Sequence, residues 1–372
     1  MNIAVCVNSL SQGGGEVFAT EMAIEYVRMG HKVCFVIYTL KDKKGEYLKR
    51  QLENNGIDVI NFDRKSKIDL LSIPYKLAKI FRERSIEVIH SNLEQMDLFV
   101  ALSTMFYRPK IIRTLHSMNA FMGLPYALHK WLFKKFDASI GCSEQLRQNY
   151  TLKSLRDCII PINNGVPIPD ICEVEQLNRR LQCRKKLGIP YNMPVFLQIG
   201  RFEPILGALC KGHDITFKAV SKLKKEDFKI IFIGEDSDRL DPNLYDQTLM
   251  KDPRFVFEGI VTNPTDYILA SDILLTPSRV EGLPMSALEA AFLGLPILSS
   301  DIDAFNLFLS SSTLKFNLSE SNKLSDYMIE VLRNLDKYKT AAKNNIYYYR
   351  SKFSIAQTAS KYIDLIKTIN IQ

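Results

Sequence analysis

The chain has 372 residues, of which 46% are hydrophobic and 24% charged, with 15 Pro and 17 Gly. This balance excludes a disordered, collagen-like or low-complexity chain, and the length predicts two domains, with one large α/β domain as the alternative. The 49 Lys and Arg against 41 Asp and Glu leave a net charge of +8, which suits a polyanionic ligand or an anionic membrane surface. The sequence contains no zinc-finger spacing or RNP-like aromatic motif, so a nucleic-acid partner is not expected.

Cysteine usage and the first residues indicate a compartment. The seven cysteines are scattered without a CxxC pair, which is typical of reduced thiols in a cytoplasm. The first ten residues, MNIAVCVNSL, have no basic region ahead of a long apolar stretch, and nowhere do about 18 apolar residues run together. We therefore expect a cytoplasmic protein that is neither secreted nor membrane-spanning.

The first part of the chain alternates strand and helix patterns. Ile3–Val7 is a continuous apolar run, Gly13–Gly15 interrupt it, and Val17–Met29 has helical periodicity before the β-rich segment Lys32–Tyr38. Similar patterns follow, with strands at Val88–His90, Lys110–Thr114 and Ala138–Gly141 and helices at Tyr75–Arg84 and Ala127–Phe136. A parallel sheet wound with helices buries runs of this kind.

A cluster of Gly and Pro at Asn163–Asp170 marks the predicted domain boundary. We expect an N-terminal Rossmann-like domain over residues 1–168, a second over 169–351, and a helix within 352–372 that packs back toward the first domain. The strand and helix rhythm restarts after the boundary, with strands at Val195–Ile199, Lys229–Ile233, Phe255–Glu258, Ile273–Thr276 and Pro296–Ser299 and helices at Ile215–Leu223 and Ser354–Ile369.

The glycine-rich turn SQGGGE only partly matches a dinucleotide-binding fingerprint. The third glycine position is Phe18, and the second strand ends in Tyr38 and Thr39 where a ribose-binding acid is expected. A dehydrogenase is therefore disfavoured. Glycines here still allow the backbone to approach an anion at a helix N-terminus. A tight turn without a ligand is an equally good interpretation.

Two cations flank a loop at the start of the second domain. Arg201 and Lys211 follow a buried strand and precede a helix. A guanidinium and an ammonium at the carboxyl end of a parallel strand supply a forked donor and a point charge for a pyrophosphate. The alternative is a pair of solvated loop cations.

The segment TPSRVEGLPMSALEA carries two carboxylates. Gly282 permits close backbone approach, and Pro284 can start a helix, which places Glu281 in the preceding loop and Glu289 in the second turn. Two acids offset along one ligand can accept hydrogen bonds from two sugar rings, while the helix N-terminus attracts phosphate. This arrangement suits a nucleotide sugar. A capped, solvated helix is the alternative.

Taken in order, GRF…KGHD, IGEDS, FEGI and SDILLTPSRVEGLPMSALEA closely resemble the family-4 (group 1) retaining glycosyltransferases of the GT-B fold. The GGGE turn, the LHS around His116 and the NNGV boundary also occur in the expected order, so the resemblance covers nearly the whole chain. It implies an α/β protein of two doubly wound Rossmann-like domains facing a central cleft. The acceptor would lie on the side of the first domain and the nucleotide sugar in the second.

The resemblance also implies roles for individual residues. Arg201 and Lys211 would bind the donor pyrophosphate and stabilise the leaving nucleoside diphosphate. Glu289 would bind the ribose and Glu281 the transferred sugar, with His116 beside that sugar. The implied catalytic set is Arg201, Lys211, Glu281 and His116, and the implied donor-binding set is Gly14, Gly15, Arg201, Lys211, Glu281, Gly282, Leu283, Pro284 and Glu289. His90, with Ser91 and Asn92 after an apolar strand, is a weaker candidate for acceptor contact.

One loop departs from the family pattern. SSDIDAFN stands where relatives often have a glycine pair, which leaves the role of that loop in sugar contact, and the donor identity, open. Asp301 and Asp303 formally make a DxD metal motif. Because Arg201 and Lys211 already supply positive charge, we expect no required metal and no cofactor.

The basic and aromatic stretch Ala127–Phe136 has two interpretations. Its lysines and aromatic residues can lie on an anionic membrane that holds a lipid-linked acceptor, or the helix can pack half-buried on the sheet, which the residues alone favour slightly.

The function that the resemblance implies is transfer of a sugar, with retention and without metal, from a nucleotide donor to a glycan hydroxyl. A UDP-linked donor and a lipid-linked glycan of a bacterial surface polysaccharide, such as O-antigen or capsule, are expected, at the inner face of the cytoplasmic membrane. A non-catalytic GT-B-like accessory protein is one alternative, although the charged set is present. Another nucleotide-sugar enzyme on the same fold, such as an epimerase or a phosphorylase, is the second.

Overall fold

The computed structural model describes residues 1–11, 13–40, 43–62, 69–118, 125–202, 204–205, 208–234, 247–309 and 313–369. The chain divides into two compact units, Met1–Pro167 with Phe353–Gln372, and Ile168–Lys352. Each unit contains a parallel sheet with helices on it, which confirms the predicted α/β class. Within the described ranges, no helix is both long enough and apolar enough to cross a bilayer.

The sheet of the first unit is parallel and, over the described residues, has seven strands in the order β3-β2-β1-β4-β5-β6-β7. The strands are β1 (Asn2–Cys6), β2 (Lys32–Ile37), β3 (Asp58–Asn61), β4 (Val88–Asn92), β5 (Lys110–Leu115), β6 (Ala138–Gly141) and β7 (Ile159–Pro161). The strand order reverses between β1 and β4, where Cys6 lies opposite Ser91. In open α/β sheets ligands bind outside the carboxyl ends of the strands at such a reversal.

The central strands of this sheet are buried on both faces. Along β1, Ile3 and Val5 face one apolar cluster, whereas Ala4 and Cys6 face another, as the period of two in a strand requires. The helices that follow the strands are α1 (Gly14–Arg28), α2 (Lys43–Asn54), α3 (Asp69–Glu83), α4 (Glu94–Ser103), α5 (Tyr126–Lys135) and α6 (Glu144–Asn149).

The second unit repeats this topology. Its parallel sheet has the order β12-β11-β8-β13-β14-β15 in the described part of the chain, and the order reverses between β8 and β13. The strands of this sheet are β8 (Val195–Ile199), β11 (Lys229–Ile233), β12 (Phe255–Gly259), β13 (Ile273–Thr276), β14 (Ile297–Ser300) and β15 (Leu314–Phe316). Two short strands, β9 (Pro204–Ile205) and β10 (Ala208–Leu209), form a separate antiparallel pair.

Helices pack on this second sheet around an aromatic core. Phe232 and Phe257 stack with ring centroids 4.9 Å apart, and Phe217 packs edge-on against Phe232. The helices are α7 (Glu173–Lys186), α8 (His213–Lys222), α9 (Pro264–Ala270), α10 (Met285–Phe292), α11 (Asp303–Asn306), α12 (Leu324–Arg333), α13 (Leu335–Asn344) and α14 (Ile346–Phe353).

A buried carboxylate ties the helices of the second unit to its sheet. Asp272, just before β13, accepts hydrogen bonds at 2.7 Å from Arg180, Arg184 and Lys339 and at 3.0 Å from the backbone N–H of Val195. Burial by itself raises the pKa of Asp272, but the three cations outweigh burial and hold that pKa below its usual value. One carboxylate therefore joins α7 and α13 to the start of the central strand β13.

The last helix, α15 (Ile355–Thr368), completes the core of the first unit. Ser354 caps it by accepting a hydrogen bond from the N–H of Gln357, and Thr358 Oγ1 donates to the carbonyl of Asn163 at 2.9 Å. Its buried residues recur at helical spacing and pack onto the cluster that contains α1; they are Ile355, Ala359, Tyr362, Ile363 and Ile366.

Candidate functional site

The glycine turn of the first unit follows β1 and begins α1. Gly14 and Gly15 lie in the first turn of that helix. A Cβ added at Gly15 would lie 3.1 Å from Leu93 Cδ2 and 3.2 Å from His116 Cδ2, whereas one added at Gly14 would meet nothing within 4 Å. Gly15 therefore allows His116 to pack against the turn, and Gly14 leaves the helix start open to a ligand.

His116 lies just past the end of β5, half-buried against this turn. Its Nε2 is 3.1 Å from Oδ1 of Asn92, and its ring packs edge-on against Phe18. Because the amide oxygen of Asn92 only accepts, Nε2 carries the proton in this contact and Nδ1 is left as an acceptor. Burial lowers the pKa of His116 to about 4, so the ring is neutral near pH 7.

Asn92 is a residue whose contact with His116 the sequence did not reveal. It is fully buried at the end of β4, and its Nδ2 has no hydrogen-bond partner among the described residues. The next residue, Leu93, has a φ of 75°, which is uncommon for a residue other than Gly. A strained backbone and an unsatisfied amide thus adjoin His116, as occurs at ligand sites. Only the position of Asn92 after an apolar strand signalled it.

The interpretation of His90 as an acceptor contact is wrong. The side chain is fully buried, with Nδ1 3.3 Å from the hydroxyl of Tyr26 and Nε2 2.7 Å from that of Thr114. Thr114 also contacts the hydroxyl of Tyr362 at 2.9 Å. Burial lowers the pKa of His90 to about 3. His90 is a neutral core residue that joins α1, the sheet and α15.

Glu94, at the start of α4, is a second residue that the sequence did not single out. Burial, with the neighbouring Asp97 as a smaller cause, raises its pKa to about 7. Asp97 itself is fully buried and accepts a 2.6 Å hydrogen bond from Ser91. A weaker contact of 3.4 Å joins it to Arg113. Glu94 is therefore a carboxyl group at the carboxyl edge of the sheet that changes charge near neutral pH.

The edge of the second sheet brings together Lys211 and Glu281. Lys211 precedes α8 and Glu281 follows β13, and Nζ of the lysine lies 2.7 Å from both carboxylate oxygens of Glu281. The side chain of Glu281 is 9% exposed and that of Lys211 30%. An ammonium held by a mostly buried carboxylate at this edge can bind an anion on its exposed side.

Two glycines make room for this pair. A Cβ at Gly200, after β8, would lie 2.7 Å from Cγ of Lys211, and one at Gly212 would lie 2.1 Å from the carbonyl oxygen of Pro277. Gly212 also has a φ of 69° and is the N-cap of α8. Gly212 therefore lets the backbone before α8 approach the loop after β13, and Gly200 leaves room for the side chain of Lys211.

The other predicted residues of this unit flank the Lys211–Glu281 pair along the chain. Arg201 is exposed directly after Gly200. Leu283 and Pro284 are buried and Gly282 is half-buried ahead of α10, and Glu289 is half-buried in the second turn of that helix. Their roles in binding donor remain predictions.

Two further segments are not part of the Lys211–Glu281 pair. In α5 and its end, Phe133 and Phe136 stack on the guanidinium of Arg113 at 4.2 and 5.1 Å, so they face the sheet, while the lysines are exposed. Asp301 accepts a hydrogen bond from Asn306, and Asp303 begins α11. In the described part of the chain, no group of three or more His, Cys, Asp or Glu is arranged to hold a metal ion.

Solved structures support the fold. A structure of HepE from Anabaena in complex with UDP and glucose superimposes with a TM-score of 0.81 at 16% identity, covering 99% of this chain and 100% of that one. WaaG, described as a glycosyltransferase involved in lipopolysaccharide biosynthesis, gives a TM-score of 0.67 at 16% identity, covering 98% and 100%. The fold is thus that of the GT-B glycosyltransferases.

Sequence relatives and family models agree with the fold. The O-antigen biosynthesis glycosyltransferase WclY of Escherichia coli is 26% identical over 360 residues, which cover 92% of this chain and 97% of the relative. A UDP-Gal:alpha-D-GlcNAc-diphosphoundecaprenol alpha-1,3-galactosyltransferase of the same species is 25% identical over 288 residues, 74% of this chain and 71% of the relative. The model for Glycosyltransferase Family 4 matches residues 12–168, and that for Glycosyl transferases group 1 matches residues 193–334. The chain therefore belongs to the group 1 glycosyltransferases.

Proposed function

We propose that this protein transfers a sugar, with retention of configuration, from a UDP-sugar to a hydroxyl of a lipid-linked glycan in the assembly of a bacterial surface polysaccharide such as O-antigen or capsule. The observation that carries the proposal is the Lys211–Glu281 pair at the carboxyl edge of the second sheet. The names of the Escherichia coli relatives, with O-antigen in one and UDP-Gal in the other, and the UDP and glucose bound to HepE support it.

The donor would be held by groups of opposite charge at this edge. Lys211 and Arg201 would bind the diphosphate, because a point charge and a forked donor together neutralise its oxygens. Glu281 would accept hydrogen bonds from hydroxyls of the transferred sugar while it holds Lys211 in place. Glu289 would do the same for the ribose. Backbone N–H groups near Gly282–Pro284, at the start of α10, would complete the pocket.

The reaction requires little covalent participation by the protein. The bond between the anomeric carbon and the diphosphate oxygen breaks, and the acceptor oxygen bonds to that carbon on the same face. The acceptor proton passes to an oxygen of the departing diphosphate. Lys211 and Arg201 stabilise the negative charge that develops there, which is the main catalytic contribution. Neutral His116 would contact the reacting sugar through its unprotonated Nδ1.

Thermal shift and nucleotide release over a panel of nucleotide sugars test the proposal. We expect one UDP-sugar to raise the melting temperature, and UDP to be released with a lipid-linked glycan extract in the presence of EDTA. Lys211→Ala should lower kcat by about 10²–10³-fold, and Glu289→Ala should abolish the donor-induced shift. Lys218→Ala, which removes an exposed lysine of α8, the helix that follows Lys211, is the control and should behave as wild type.

The stereochemistry is tested separately. With an α-linked donor, NMR of the product should show an α-glycosidic bond. A β-linked product would overturn retention but leave transfer intact. Failure of all donors to bind would favour the accessory-protein alternative, and conversion or phosphorolysis of the donor without an acceptor would favour another nucleotide-sugar enzyme.

A further inference from the structure

A second ion pair joins the two loops that carry Lys211 and Glu281. Asp214 lies in the first turn of α8, and Arg279 lies in the loop after β13. The guanidinium is bidentate, with Nη1 2.8 Å from Oδ1 and Nη2 2.7 Å from Oδ2 of Asp214. Asp214 is three residues after Lys211, and Arg279 is two residues before Glu281. The two ion pairs therefore both connect residues 211–214 to residues 279–281.

Arg279 is also bonded to the backbone that leads into Lys211. Its Nη1 donates to the carbonyl of Leu209 at 2.6 Å, and its backbone N–H donates to the carbonyl of Cys210 at 2.8 Å. The side chain of Asp214 is 8% exposed. A bidentate pair with a buried carboxylate and extra backbone bonds differs from a solvated surface ion pair, which contributes little. Arg279 thus fixes the segment directly ahead of Lys211.

The pair between Asp214 and Arg279 also limits which carboxylates are available to the ammonium group of Lys211. A carboxylate three residues away is a competing partner for its ammonium, and the fork of Arg279 occupies both oxygens of Asp214. Glu281 then remains for Lys211, which binds both of its oxygens. Specific pairing of this kind depends on satisfying the competitor as well as on the favoured contact.

We propose that Asp214 and Arg279 are positioning residues: they hold the Lys211 loop and the Glu281 loop at a fixed spacing and keep Lys211 paired with Glu281 before the donor arrives. This inference rests on the proposed function. Neither side chain would touch the donor. A preformed site avoids reordering charged side chains during the reaction, and small displacements of such groups reduce turnover strongly.

The test compares Asp214→Asn and Arg279→Lys with Asp252→Asn. Asp252 forms a similar bidentate pair with Arg254 in the same unit, at 2.9 Å to Nε and 2.6 Å to Nη2, and Arg254 also donates to the carbonyls of Val220 and Leu223. This control removes an equivalent pair that lies before β12, away from the Lys211 loop. All variants are assayed for kcat, KM for the UDP-sugar and melting temperature.

We expect Asp214→Asn and Arg279→Lys to lower kcat by about 10-fold or more, with a fall in melting temperature no larger than that of Asp252→Asn. Arg279→Lys keeps the charge but not the fork, so it separates geometry from charge. Unchanged kcat in either variant, or a loss of kcat in Asp252→Asn that matches theirs, would overturn the proposal.

A readout without donor separates this inference from the proposed function. In protein labelled with ¹⁵N-lysine, the Nζ resonance of Lys211, assigned with Lys211→Ala, reports its pairing with Glu281. We expect Asp214→Asn to shift that resonance and Asp252→Asn to leave it in place. No shift overturns the positioning role, whatever the activity. If Asp214→Asn shifts the resonance but the wild-type protein turns over no nucleotide sugar, the positioning role stands and the proposed function is overturned.

Discussion

The carboxyl edges of the two sheets hold titratable side chains in opposite ways. At the first edge burial dominates: the pKa of His116 falls to about 4 and that of Glu94 rises to about 7. At the second edge the charged side chains form ion pairs, Lys211 with Glu281 and Arg279 with Asp214. The same topological position therefore holds a neutral imidazole and a carboxyl group with a raised pKa in one unit, and two close ion pairs in the other.

This difference agrees with the two substrates of the proposed reaction. A diphosphate needs fixed positive charge as it departs, and paired cations supply it without reorganisation. A sugar hydroxyl needs no fixed charge and can be bound by neutral donors and acceptors, such as an uncharged imidazole or an amide. The comparison teaches that topology fixes where a ligand binds, while burial or pairing decides which chemistry is available there.

The largest expected effect is at the buried hub of the second unit. Asp272→Asn should lower the free energy of unfolding by about 3–5 kcal/mol, because Arg180, Arg184 and Lys339 lose the carboxylate that they share. Chemical denaturation at pH 7 measures this.

The matched control for the hub is a more exposed pair of the same unit. Asp266→Asn removes the partner of Arg179, and the carboxylate there is 37% exposed. It should cost at most about 1 kcal/mol. Equal losses at Asp272 and Asp266 would mean that pairing of buried charge does not distinguish the second unit.

The second effect concerns the neutral core behind the first edge. Thr114→Val should cost about 2–3 kcal/mol, because the imidazole of His90 and the hydroxyl of Tyr362 both lose a buried partner. Thr114→Ser keeps the hydroxyl and should cost less than half as much. If Thr114→Ser, which loses only the methyl group, costs as much as Thr114→Val, the hydrogen bonds of Thr114 contribute no more to stability than the packing of that methyl group does.

The sequence predicts the central strands of each sheet well, but it misses three of the short strands at the sides of the sheets. Continuous apolar runs such as Ile3–Val7 and Val195–Ile199 are confirmed as strands because both of their faces are buried. The edge strands β3, β7 and β15 were not predicted. They have three or four residues each and are partly exposed, so their apolar pattern is too short to detect.

The candidate site can be predicted only in part from the sequence, for a different reason. Lys211 and Glu281 are visible as charged residues after strands, but their contact spans 70 positions and depends on β8 and β13 being neighbours. For His90 the sequence misleads, since a His at the end of an apolar strand looks the same whether it faces the ligand edge or the core. Its true partner Tyr26 and its neighbour Tyr362 belong to helices at opposite ends of the chain.

The third effect is a change with pH at the first edge. Because burial raises the pKa of Glu94 from its ordinary value of 4.5 to about 7 in the folded state, the folded protein binds one more proton than the unfolded chain between these pH values. Stability contributed by this group is thus present below about pH 4.5 and is lost as the pH rises to 7.

Glu94→Gln should stabilise the protein by about 1–2 kcal/mol at pH 8 and have little effect at pH 4.5. Melting curves at both pH values decide this, with Glu144→Gln as the control, because Glu144 is a half-buried, salt-bridged residue of α6 whose pKa is lowered rather than raised. An equal gain at both pH values would show that the charge of Glu94 is not the cause.

The smallest effect separates two adjacent glycines. Gly15→Ala should cost about 1–2 kcal/mol, because the new Cβ lies 3.1–3.2 Å from Leu93 and His116 and one of them must move. Gly14→Ala meets open space and should stabilise the protein by about 0.5 kcal/mol, since Ala favours the helix. Thermal denaturation of both variants measures the difference. If the two substitutions have the same sign, His116 does not pack tightly on the turn, and the first edge then owes its low histidine pKa to groups other than this contact.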